Sequence, residues 1–182
     1  MKICLNTFLA LGFISTLPFS TVWAEKPQKK TTEHRQHDAH THGAGKMSIA
    51  FDGLNGRIEF EVAAESILGF EYMPKTNRDK KVVADAIKSF QKDFDQMLQF
   101  DSALGCVFSP EKVEQKMEGK TSSHSDFIAT YTVQCKKSLM NSQVKFKFSR
   151  FEHLNDVDVT FLIDAFQKTI EITNKESVLD LK

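Results

Sequence analysis

A period-two alternation of apolar and polar residues recurs along most of this chain, and no other feature constrains its fold as strongly. Phe127, Ala129, Tyr131, Val133 and Cys135 give the cleanest example. Successive side chains of a strand point to opposite faces, so such a run offers one apolar face to a core and one polar face to water. Met47, Ile49 and Phe51 repeat the pattern within Lys46 to Asp52, and Ile58, Phe60 and Val62 repeat it within Arg57 to Ala63. Asp52-Gly53 and Asn55-Gly56 lie between these two runs and mark a β-hairpin. Cys106-Val107 opens another strand that continues beyond Pro110 as Lys112 to Met117. Val144, Phe146 and Phe148 alternate with Lys145 and Lys147, which mark a solvated face or a guarded edge. Val157, Val159, Phe161 and Ile163 follow, Asp164-Ala165 turns the chain into Phe166, Ile170 and Ile172, and Val178 to Leu181 closes it.

One segment breaks this rhythm. Val83, Ile87, Phe90, Phe94 and Met97 recur at three- and four-residue steps behind a Thr76/Asp79 capping pair, which predicts one long amphipathic helix over 77–99. Its opposite face is not strongly basic, so the stripe packs on a sheet and not on a membrane. Ser66 to Met73, ahead of Pro74, reads as extended or irregular. The fold class that follows is α+β: a single domain with one mostly antiparallel β-sheet packed against one long α-helix. No repeat of solenoid length is visible. The 16 phenylalanines fall mostly at alternating or helical positions and belong to the core. Lys plus Arg and Asp plus Glu each total 24, so nothing draws the chain to nucleic acid in general.

The N-terminus reads as an export signal over 1–24. Lys2 is followed by an apolar stretch from Leu5 to Phe19, interrupted by Ser15, Thr16 and Pro18 and too short to span a bilayer, and Val22-Trp23-Ala24 supplies small residues for cleavage after Ala24. No cysteine stands at that cleavage point, so no lipid anchor is expected and the processed protein has no stable membrane attachment. Residues 25–33, with Lys26, Pro27, Lys29 and Lys30, read as a flexible linker. Cys106 and Cys135 are the two cysteines left after processing, and in an oxidising compartment such a pair reads as a disulfide. Closing that loop would stabilise the fold by about 3.5 kcal/mol in the chain-entropy model.

Between the linker and the domain proper, taken as 46–182, lies a histidine-bearing segment over 34–45. His34, His37, His40 and His42 are four of the chain's 6 histidines, and Asp38 adds an oxygen donor. Neutral imidazole is the commonest protein ligand for divalent transition metals, and at a pKa of about 6.5 it is mostly available at neutral pH. Positions three apart share a face of a helical turn, and positions two apart share a face of an extended segment. A turn leading into a strand can therefore bring three of these histidines together. Zinc is the first candidate; copper and nickel also suit imidazole, so ligand type alone does not identify the metal.

The run His34-Arg35-Gln36-His37-Asp38-Ala39-His40-Thr41-His42-Gly43-Ala44-Gly45, leading into Met47-Ser48-Ile49-Ala50, resembles the start of the ZrgA-like periplasmic zinc-uptake proteins. Leu68-Gly69-Phe70-Glu71 before the helix, Cys106, Ser125-Asp126-Phe127 to Cys135, and Phe151-Glu152 ahead of Asp156-Val157-Asp158-Val159 follow in the same order. The resemblance implies a periplasmic zinc-binding protein that assists zinc acquisition, handing metal to or from a component of an uptake transporter. Members of that family typically carry a long His/Asp-rich insertion ahead of the S-D-F strand. Here the place holds only Lys120-Thr121-Ser122-Ser123-His124-Ser125-Asp126, which leaves a smaller site built on the N-terminal histidines with or without His124.

The expected metal ligands are His34, His37, Asp38, His40, His42 and His124, with Glu59, Glu61 or Glu71 able to complete a coordination sphere. His153 reads as structural or exposed. A competing reading is an exported scaffolding module that docks an envelope partner and carries its histidines incidentally. Enzymatic readings rank last: the chain has no H-E-x-x-H, no G-x-S-x-G and no phosphate-binding loop.

Overall fold

The computed structural model describes residues 42–119, 123–173 and 175–182. The chain begins with the expected hairpin of β1 (Ala44–Asp52) and β2 (Asn55–Ala63), so the first strand starts inside the histidine-bearing segment. Asp52 pairs with Asn55 across a two-residue turn. Phe51 pairs with Gly56, where a Cβ would sit only 2.4 Å from the Phe51 ring. Glycine there lets the ring lie flat over the neighbouring strand.

Residues after β2 depart from the extended reading. Ala64–Leu68 forms a one-turn helix, α1, which stops where Gly69 adopts a φ of 77° and donates its N–H to the Glu65 carbonyl at 2.8 Å. A single turn leaves no periodicity to read in a sequence. The glycine terminator is its sequence signal.

The long helix α2 (Asn77–Met97) starts at the predicted cap: Thr76 accepts from the Asp79 N–H, and the Asp79 carboxylate accepts from the Thr76 N–H at 2.9 Å. Those hydrogen bonds to Thr76 hold the Asp79 carboxyl below the usual carboxylate range. Phe90, Phe94 and Met97 are buried, and Val82, Val83, Ala86 and Ile87 pack against the same core. The helix departs from helical dihedrals at Asp93, in the turn where the buried Tyr131 hydroxyl donates to the Phe90 carbonyl at 2.8 Å. A side chain competing for a ladder carbonyl is a recognised cause of such a kink. Burial pushes the Tyr131 phenol well above its ordinary pKa.

The remaining elements are β3 (Leu98–Phe100), a 3-10 turn at Ser102–Leu104, β4 (Val107–Met117), β5 (Ser125–Gln134), β6 (Ser142–Lys147), β7 (Asp156–Ile163), β8 (Phe166–Ile172) and β9 (Glu176–Leu181). β4 shifts register between Pro110 and Lys112, where the proline lacks a ladder donor. The strands divide into two sheets where the sequence suggested one: a six-stranded sheet in the order β4-β5-β2-β1-β7-β8 and a three-stranded sheet in the order β3-β6-β9. Among the described residues all pairings are antiparallel except β1 with β7.

Alternating residues from β1, β2, β5 and β7 line one face of the larger sheet, and α2 and the smaller sheet close over it. Ring contacts record the seam: Phe60 stacks on Phe90 and on Phe148, and Phe146 meets Phe161 edge-on. β6 is the central strand of its sheet, so exposed Lys145 and Lys147 mark a solvated face and not an edge. Cys106 and Cys135 form the expected disulfide, tying the start of β4 to the end of β5. The α+β class, the dominance of antiparallel pairing and the single long helix are as read from the sequence. Among the described residues no helix is long and apolar enough to cross a membrane.

Candidate metal centre

The pairing register brings three chain segments to one end of the larger sheet. Gly45 pairs with Val62, so the residues entering β1 lie beside those leaving β2; Ala63 pairs with Asp126, so the residues entering β5 lie there too. His42 stands just ahead of β1, Glu65 in α1 just after β2, and His124 just ahead of β5. Glu71 comes from the irregular segment between α1 and α2.

His42 is fixed through its neighbour. Gly43 has a φ of 83°, and its carbonyl accepts from the N–H groups of Asn155 at 2.7 Å and Asp156 at 3.1 Å. A Cβ at Gly43 would fall 2.2 Å from the Asn155 side chain, so only glycine fits both the dihedral and the space. His42 Nδ1 makes a close contact with Glu65 Oε2 and lies 3.2 Å from Glu71 Oε1. The other oxygen of Glu71 contacts His124 Nδ1. One carboxylate thus faces two imidazoles.

The hydrogen bond that the Glu65 carboxylate accepts from His42, reinforced by the negative charges of Glu71 and Glu65, raises the His42 pKa above 6.5. The same negative field favours any cation placed among these atoms. Single ligand atoms of His42, Glu65 and Glu71 all lie within 4.8 Å of one another. Zinc bonds of about 2.0–2.2 Å to nitrogen and oxygen imply ligand separations of roughly 3.3–3.5 Å in a tetrahedron. The His42–Glu71 separation of 3.2 Å is already close to that edge. The His42–Glu65 contact would have to widen, which rotation of the exposed glutamate side chain allows. The donors are nitrogen and oxygen alone, since Cys106 and Cys135 are committed to the disulfide. Such a set suits zinc and its neighbours among the divalent transition metals.

Of the ligands expected from sequence, His42 and His124 come together on Glu71, whereas His34, His37, Asp38 and His40 lie outside the described residues. Glu59 is on the outer face of β2 and pairs with Arg57 at 2.9 Å, and Glu61 lies opposite Lys46; neither joins the cluster. His153 is exposed. Glu65 was not anticipated. The signal for it was available in the hairpin, because a residue just past β2 must return to the level of a residue just before β1.

No curated protein matches this chain. The family model of ZrgA family zinc uptake proteins matches residues 39–181, which takes in every described residue of the cluster and all of the β-strands. The chain that gathers His42, Glu65, Glu71 and His124 at one end of its sheet belongs to the ZrgA family of zinc uptake proteins.

Proposed function

We propose that this protein is a periplasmic zinc-binding protein that assists zinc uptake, capturing the ion and passing it to a transporter component without catalysing a reaction. The observation that carries this reading is the meeting of His42, Glu65 and Glu71 around one point, with His124 on the same Glu71 carboxylate. The four groups are between 19% and 62% exposed, which suits a site that must exchange its cargo with a partner. His34, His37, Asp38 and His40 precede His42 in the sequence and add further imidazole and carboxylate donors for a divalent ion. The apolar N-terminal stretch serves export, with cleavage after Ala24. Zinc is the preferred cargo, and copper and nickel are the competitors to be measured.

Zinc titration of the processed protein, of a His37/His40/His42→Ala variant and of a Glu65/Glu71→Gln variant tests the reading. Stoichiometric zinc binding that weakens in both variants is expected. Full affinity in both would remove these residues as ligands.

A further inference from the structure

Glu71 belongs to neither a helix nor a strand: residues 69–76 run between α1 and α2 without a regular ladder. Backbone carbonyls in such a stretch must find partners elsewhere or bear the cost of burial unpaired. The carbonyls of Glu71 and Tyr72 find theirs on the β4–β5 hairpin. Ser125 Oγ donates to the Glu71 carbonyl, and Gln115 Nε2 donates both to the Tyr72 carbonyl at 3.0 Å and to Ser125 Oγ at 2.8 Å. Ser125 is 2% exposed.

The protons in this network have one arrangement. A carbonyl oxygen only accepts, so the Gln115 amide must turn its nitrogen toward Tyr72, and both of its N–H groups are then committed. Ser125 receives one of them and has a single proton left, directed at Glu71. The orientation leaves Gln115 Oε1 buried without a hydrogen-bond partner among the described residues. A buried amide oxygen left unmatched is costly and uncommon, and here it accompanies two bonds that hold the Glu71–Tyr72 backbone. The same hairpin also delivers His124, the residue next to Ser125.

We propose that Ser125 and Gln115 are positioning residues of the metal site. They fix the backbone of an otherwise unladdered segment, so that the Glu71 carboxylate stands where His42 and His124 both meet it. The assignment rests on the reading of this cluster as a zinc site. Neither residue touches the ion; each acts through Glu71.

The test compares the unsubstituted protein with Ser125→Ala and Glu71→Gln, using Zn2+ for affinity, Co2+ for its ligand-field spectrum and a metal-free melt for stability. In Ser125→Ala the metal-free protein is expected to fold and to melt at a lower temperature, because the Glu71 carbonyl and one Gln115 N–H lose their partner. Its zinc affinity is expected to fall about ten- to a hundredfold, and its Co2+ spectrum to change as Glu71 shifts. Zinc affinity and Co2+ spectrum both unchanged in Ser125→Ala, with affinity lost in Glu71→Gln, overturn the positioning role and leave the site standing. Affinity unchanged in Glu71→Gln as well overturns the site itself. If Ser125→Ala does not fold, Gln115→Leu carries the same comparison, because Gln115 is only half-buried and lies on an edge strand.

Discussion

His42 Nδ1 lies 3.2 Å from Glu71 Oε1, while the second oxygen of that carboxylate contacts His124 Nδ1. A single side chain therefore joins histidines delivered ahead of two different strands. Glu71 is also the least exposed of the group, at 19% against 38% for Glu65. Charge placed where water is partly excluded acts more strongly than charge in open solvent. Glu71→Gln is accordingly expected to weaken zinc binding by at least about tenfold and by more than Glu65→Gln does, as read by competition with a chromophoric chelator. Equal effects of the two substitutions would show that Glu71 has no special place.

The raised pKa of His42 gives a separate handle. Its protonated form is stabilised first by the hydrogen bond to Glu65. Because the folded value lies above the unfolded one, the stabilisation is fully present below about pH 6.5 and is lost as pH rises through the folded pKa. An NMR titration of the metal-free protein should place His42 above 6.5, and Glu65→Gln should bring it back down. A His42 resonance that titrates identically in both proteins would contradict the contact.

Gly43 offers a test of how His42 is held. Gly43→Ala must place an L-residue at a φ of 83° and a methyl group against Asn155. The dihedral alone costs about 1–2 kcal/mol, so a lower melting temperature is expected, together with weaker zinc binding because His42 is the next residue. A variant that binds zinc normally would mean that the turn into β1 does not set the histidine.

The disulfide should behave in the opposite way. Cys106 and Cys135 close the end of the β4–β5 ladder at which Val107 pairs with Gln134, whereas Ser125 pairs with Met117 at the other end, beside the cluster. Replacing both cysteines with serine is expected to destabilise the domain by about 3.5 kcal/mol in denaturant unfolding, with zinc affinity little changed. A large loss of affinity in the folded double variant would reveal coupling along the hairpin.

Much of this architecture can be read from the amino-acid order, for a physical reason in each case. The β1–β2 hairpin, the Thr76/Asp79 cap and the strand ending at Cys135 are local patterns, each complete within a few residues of itself. The separation of β3, β6 and β9 into their own sheet is not local: Val144 and Phe146 alternate as any strand would, and nothing in that alternation names Leu98 or Leu179 as neighbours. The parallel pairing of β1 with β7 joins residues from opposite ends of the domain and is likewise silent in the sequence. His42 and His124 were legible as ligand types. Their meeting on Glu71, and the arrival of Glu65, depend on a one-turn helix whose sole sequence mark is Gly69.

The strand that begins beside His42 runs through the interior of its sheet, hydrogen-bonded to β2 on one side and to β7 on the other. Tension reaching Ala44 from the residues ahead of it is consequently borne in shear along two ladders at once, with no free margin from which the strand can be peeled. The residues that enter β1 are thereby tied to a strand held on both sides, and a pull along it loads two ladders together before it reaches the aromatic core behind.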